Sequence, residues 1–152
     1  MFDDLRDLYQ EVILDHGRRP RHGARLEAFD ATAKGDNPMC GDRVQVWVRH
    51  DGDGRIAQAG FEARGCAISV ASADLMAEVV AGHTDDDARG LAGRFGDMAR
   101  TGAAPDDDPA MERLRPLAGV HEFPSRVKCA TLAWHALVAA LDATTARSPG
   151  ND

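Results

Sequence analysis

Residues 44–63 read VQVWVRHDGDGRIAQAGFEA, and this stretch decides the fold. Val44, Val46 and Val48 alternate with Gln45, Trp47 and Arg49, the two-residue period of a strand with one face buried. The run HDGDG at 50–54 places glycine and aspartate where a hairpin must reverse. Ile56 to Ala63 then reads as the returning strand. The stretch also invites a calcium reading, because Asp51, Asp53 and Glu62 fall on positions 1, 3 and 12 of an EF-hand-type loop. Position 5 is Arg55 and position 6 is Ile56, where that loop needs a ligand and a glycine. The segment is therefore a turn.

Toward the N-terminus, a further short strand is expected near residues 29–34. Before it, residues 18–29 (RRPRHGARLEAF) are basic and punctuated by glycine and proline, as in a loop. Phe2, Leu5, Leu8, Tyr9, Val12 and Ile13 recur at three- and four-residue spacing, which predicts an amphipathic helix ended by Gly17 and Pro20. Toward the C-terminus the pattern turns helical. Ile68, Ala71, Leu75, Met76, Val79 and Val80 make one apolar stripe up to Gly82. Thr84 with Asp85, Asp86 and Asp87 reads as a cap and an acidic first turn, starting a helix that lasts to about Met98. Asp106, Asp107 and Asp108 before Pro109 repeat that start signal. The last helix begins near Pro124 or Ser125, with Val127, Ala130, Trp134, Leu137, Val138 and Leu141 on its apolar face. A hairpin followed by a run of helices is an α+β plan, a small antiparallel sheet with helices on one face. The expected organisation is one domain over 1–144 and a flexible tail over 145–152.

Composition narrows the function. The formal net charge is −7 and no basic stripe interleaved with aromatics is present, so nucleic acid is an unsuitable partner. No window approaches the roughly 20 apolar residues that span a bilayer. MFDDLRDLYQ lacks the charged-then-apolar pattern of a signal peptide, and the expected location is the cytoplasm. Three cysteines, an odd number in a reducing compartment, argue against a disulfide framework. The histidines (His16, His22, His50, His83, His121 and His135) show no His-x-x-x-His pattern and are read as surface or packing residues.

The cysteines stand at special places. Cys40 lies in Gly35-Asp36-Asn37-Pro38-Met39-Cys40-Gly41-Asp42, a turn-rich loop before a strand. Cys66 follows Gly65 between a strand and a helix. Cys129 is expected in the first turn of the last helix. Unsatisfied N–H groups and the helix dipole at such positions favour thiolate over thiol. Zinc takes four ligands in a tetrahedron, and thiolates are good ones. Cys40, Cys66 and Cys129 can supply three, and Asp42, two residues after Cys40 with glycine between, is close enough to supply the fourth; the competing reading is three inert buried thiols and an aspartate used in a turn or cap. There is no Cys-x-x-Cys pair, so the ligands must converge through the fold.

Pro38 to Asp42, then Gly65-Cys66-Ala67-Ile68-Ser69, then Pro124-Ser125-Arg126-Val127-Lys128-Cys129-Ala130-Thr131-Leu132-Ala133-Trp134 resemble the IscU/SufU family of iron–sulfur assembly proteins. The resemblance runs from Leu8-Tyr9 to about Leu141. It implies a three-stranded antiparallel sheet with helices on one face. Two details favour the SufU branch: the long stretch from Asp85 to Ala110, and Lys128 where the IscU type has a histidine before the third cysteine. What that branch implies is zinc-dependent acceptance of sulfur from a SufS-type cysteine desulfurase, with downstream SUF assembly proteins as further partners. Cys40 is then the expected sulfur acceptor, freed when a partner supplies a competing ligand, and Arg126 the supporting cation beside an anionic centre. Two other readings stay open: a scaffold carrying an iron–sulfur cluster on the same four groups, and a purely structural zinc module.

Overall fold

The computed structural model describes residues 11–37, 41–103 and 108–147, with side chains described as far as 143. Residues 11–18 are helical (α1). Three strands follow: β1 (Ala31–Asn37), β2 (Asp42–His50) and β3 (Ile56–Arg64). They form one antiparallel sheet in the order β1-β2-β3. The helices are α2 (Ala67–Val80), α3 (Asp85–Thr101), α4 (Pro109–Leu114), a 3₁₀ segment (Arg115–Glu122) and α5 (Pro124–Arg147).

The register shows why the alternation at 44–48 is so clean. Val44 faces Ala63, Val46 faces Phe61 and Val48 faces Ala59, and all of these lie on the side covered by helices. α5 packs over β1 and β2, and α2 over β3. Trp47 points the other way, yet it is only 2% exposed. The segment 19–30 crosses the outer face there: the Arg25 guanidinium lies 6.0 Å from the Trp47 ring, and the Phe61 N–H donates to the His22 carbonyl at 3.2 Å. That bond satisfies part of the free edge of β3. A buried carboxylate secures the same segment. Asp74, on α2 and fully buried, accepts from His16 Nδ1 at 2.5 Å and from the His22 N–H at 2.8 Å.

The turn at 50–55 is built on Asp51, whose Oδ1 accepts from the N–H groups of Asp53 (2.8 Å) and Arg55 (3.1 Å). The N–H groups of Arg55 and Asp53 hold this carboxyl below its ordinary range, so Asp51 is spent on the turn as the sequence predicts. Helix starts also fall where expected. The Thr84 hydroxyl accepts from the Asp87 N–H, and the Asp108 carboxylate accepts from the Ala110 N–H. Phe95 of α3 stacks on Trp134 of α5 with ring centroids 5.0 Å apart.

Three boundaries differ from expectation. β1 begins at Ala31 and continues through Asn37, because its small and polar residues carry no period that marks an end. The 3₁₀ segment was not foreseen. Leu117 and Val120 are both buried, and their three-residue spacing is the period of that helix type. α5 extends to Arg147, so 145–147 are helical, while 148–152 lie outside the described residues, as do residues 1–10 of the expected N-terminal helix.

Candidate metal centre

Three of the four expected ligands converge. Asp42 opens β2, opposite Asn37, with its side chain on the helix-covered face. Cys66 is the N-cap of α2. Cys129 is the sixth residue of α5. One ligand atom from each of Asp42, Cys66 and Cys129 lies within 4.8 Å of the others. Asp42 and Cys129 are buried and Cys66 is half-buried. Cys40 lies outside the described residues. None of the six histidines belongs to this group.

Local conformation brings the three together. Gly41 has φ +78°, the left-handed region that glycine adopts without cost, and its N–H donates to the Asn37 carbonyl at 2.8 Å. This turns the chain directly before Asp42. Gly65 serves a different need: a Cβ there would stand 2.4 Å from Asp42 Oδ1, so only glycine admits the carboxylate beside Cys66. The free end of α2 then points its first N–H groups toward the site.

Cys129 corrects one expectation. It sits in the second turn of α5, not the first, where the orphan N–H groups no longer reach it. Its Sγ lies 3.7 Å from the Ser125 carbonyl. Burial, then contact with Asp42 and the charge of Cys66, pushes its thiol well above the ordinary range. The ionised form of Cys129 therefore needs positive charge close by. A metal ion bound here would supply that charge, and a coordinated thiol loses its proton.

The donor set fits zinc. Bonds of roughly 2.0–2.3 Å in a tetrahedron put ligand atoms about 3.5–3.8 Å apart. Cys66 Sγ and Asp42 Oδ2 are already 3.8 Å apart, and the whole group needs only a small contraction. Arg126 is exposed on α5, and its guanidinium stands beside both thiols; the charge of Cys66 comes first among the causes that hold it protonated. Lys128 is exposed as well and makes no ion pair with a described residue. His121 does not reach the site: its Nδ1 lies 2.9 Å from the Ala118 carbonyl.

Sequence reasoning passed over Ser69. It is 4% exposed and its hydroxyl donates to Asp42 Oδ2 at 2.5 Å. Its signals were its place at the end of the Gly65–Ser69 motif and its position three residues after Cys66, on the same side of the first turn of α2.

Comparison with known proteins places the chain in a family. Residues 8–149 match the family model for the NifU-like N-terminal domain. The chain is 39% identical over 140 residues to the iron–sulfur cluster assembly scaffold protein IscU of Streptococcus pyogenes serotype M1, covering 90% of this chain and 84% of that protein. It is also 39% identical over 134 residues to the zinc-dependent sulfurtransferase SufU of Bacillus subtilis, covering 88% and 89%. Among solved structures, a putative iron–sulfur cluster assembly scaffold protein for the SUF system from Fervidobacterium islandicum superposes with a TM-score of 0.79 at 31% identity, covering 89% of this chain and 97% of that one. With the match spanning nearly the whole chain and the fold in agreement, this protein belongs to the NifU-like N-terminal domain family, which includes IscU and SufU.

Proposed function

We propose that this protein is a zinc-dependent sulfurtransferase that accepts persulfide sulfur from a SufS-type cysteine desulfurase, stimulates that enzyme, and passes the sulfur on to iron–sulfur cluster assembly in the cytoplasm. The observation that carries the reading is the gathering of Asp42, Cys66 and Cys129 with the Arg126 guanidinium against both thiols, and Lys128 rather than histidine directly before Cys129. Cys40 completes the ligand set, two residues before Asp42. Zinc, when bound, keeps ligand thiols deprotonated near neutral pH and brings no redox chemistry of its own.

The work of transfer falls to the chain. Cys40 is the acceptor. Its thiolate attacks the terminal sulfur of the partner's persulfide, a new S–S bond forms on Cys40, and the partner's S–S bond breaks to leave the partner cysteine as thiolate. The persulfide proton stays on the transferred sulfur. Arg126, exposed and cationic, stabilises sulfur anions at the mouth of the site.

A second reading, an iron–sulfur scaffold, is favoured by the Streptococcus relative and by the ability of the same thiolates to hold iron. Desulfurase turnover separates the two. The partner enzyme is assayed with this protein zinc-loaded, zinc-free, and as Cys40→Ala, with intact mass read on each. Stimulation that needs both zinc and Cys40, with one sulfur added to the protein, is the expected result. No stimulation by folded zinc-loaded protein, together with a brown, transferable cluster after reconstitution, would replace this reading by the scaffold.

A further inference from the structure

Ser69 lies where three of the centre's residues meet. Its Oγ is 2.5 Å from Asp42 Oδ2, 3.3 Å from the Cys129 carbonyl oxygen and 3.7 Å from Cys66 Sγ. A hydroxyl has one proton to donate, and the shorter contact, to a charged acceptor, takes it. We propose that Ser69 is a positioning residue of the metal centre, holding the Asp42 carboxylate in its ligating orientation. This rests on the reading that the centre holds zinc.

The carboxylate is fixed from two sides. Ser69 donates to Oδ2, and the absence of a Cβ at Gly65 leaves room for Oδ1. Asp42 is 4% exposed, so no bulk water replaces a lost donor. With the hydroxyl gone, Oδ2 loses the short hydrogen bond that fixes the carboxylate's orientation. Hydrogen-bond partners of metal ligands are worth 10–100-fold in metal affinity, as a rough guide.

Ser72 supplies an internal control. One turn further along α2, its buried hydroxyl donates to the Ala130 carbonyl at 2.5 Å, so it also ties α2 to α5. It makes no hydrogen bond to Asp42, Cys66 or Cys129. A purely structural role for Ser69 predicts that the two serines behave alike.

The test is zinc affinity by competition with a chromophoric chelator, with circular dichroism to verify folding. Ser69→Ala should weaken zinc binding by about 10–100-fold. Ser72→Ala should lower the melting temperature of the zinc-free protein and leave affinity within about twofold. In an Asp42→Ala background, adding Ser69→Ala should change affinity by less than about twofold, because the two residues act as one unit. Ser69→Thr keeps the donor and should stay within about threefold of the parent; it carries the test if Ser69→Ala does not fold. Unchanged affinity in Ser69→Ala, an equal loss with and without Asp42, or a tenfold loss in folded Ser69→Thr would overturn the proposal. If the unsubstituted protein itself fails to bind zinc, the zinc reading falls and this proposal with it.

Discussion

Gly65 shows how one absent side chain shapes the centre. A Cβ 2.4 Å from Asp42 Oδ1 cannot be accommodated unless the carboxylate or the β3–α2 turn moves. Gly65→Ala should therefore lower zinc affinity at least tenfold and cost about 1–3 kcal/mol in the zinc-free protein, the usual penalty of overpacking. Chelator competition and urea unfolding measure the two effects separately. Asp42 and Cys66 were legible because each follows a glycine where one element pattern gives way to another, while Cys129 was placed one helical turn too early and Cys40 lies outside the described residues. Ser69 was not legible. A serine near a helix start has many uses, and its partner on β2 is 27 positions away, reached only once the sheet and α2 have closed on each other.

Among the elements, β2 and β3 were readable because one buried face imposes period two on their residues. β1 was read only in part, since ATAKGDN has small and polar residues on both faces. The 3₁₀ segment hides for a related reason: eight residues hold too few turns to show a period. The junction of sheet and α3 carries a pH signature. His50, at the end of β2, places Nδ1 2.9 Å from Asp30 and Nε2 2.7 Å from Asp85 in the first turn of α3. Burial pulls its pKa down, but the hydrogen bonds its ring donates to Asp85 and Asp30 outweigh it, and the net shift is upward. A raised folded value means that the stabilisation is fully present below the unfolded pKa of about 6.5 and is lost as pH climbs through the folded value. Stability in urea should fall across that window, and His50→Gln should remove this part of the slope. An unchanged slope in the variant would exclude the two carboxylates as its source.

At the scale of the molecule, the apolar core is built without Asp42, Cys66 or Cys129. Val46, Val48, Phe61, Leu75, Phe95, Trp134 and Leu137 are all buried and pack as one cluster. Chelation should therefore leave the helical circular dichroism in place while lowering the melting temperature. With free zinc at a hundred times Kd, mass action gives about 2.7 kcal/mol, on the order of 5–10 °C for a chain of this size. Loss of all structure on chelation would instead make the metal part of the fold.

The placement of the ligands on β2, on the cap of α2 and in the second turn of α5 has a consequence in time. A ribosome delivers the chain from its N-terminus, and domains assemble as they emerge. Asp42 and Cys66 are made early, but Cys129 appears only with α5. A chain stopped at residue 122 should show no high-affinity zinc site by chelator competition. If the centre holds zinc as proposed, the nascent protein would be protected from loading before it has folded, and occupancy would certify that the last helix has docked.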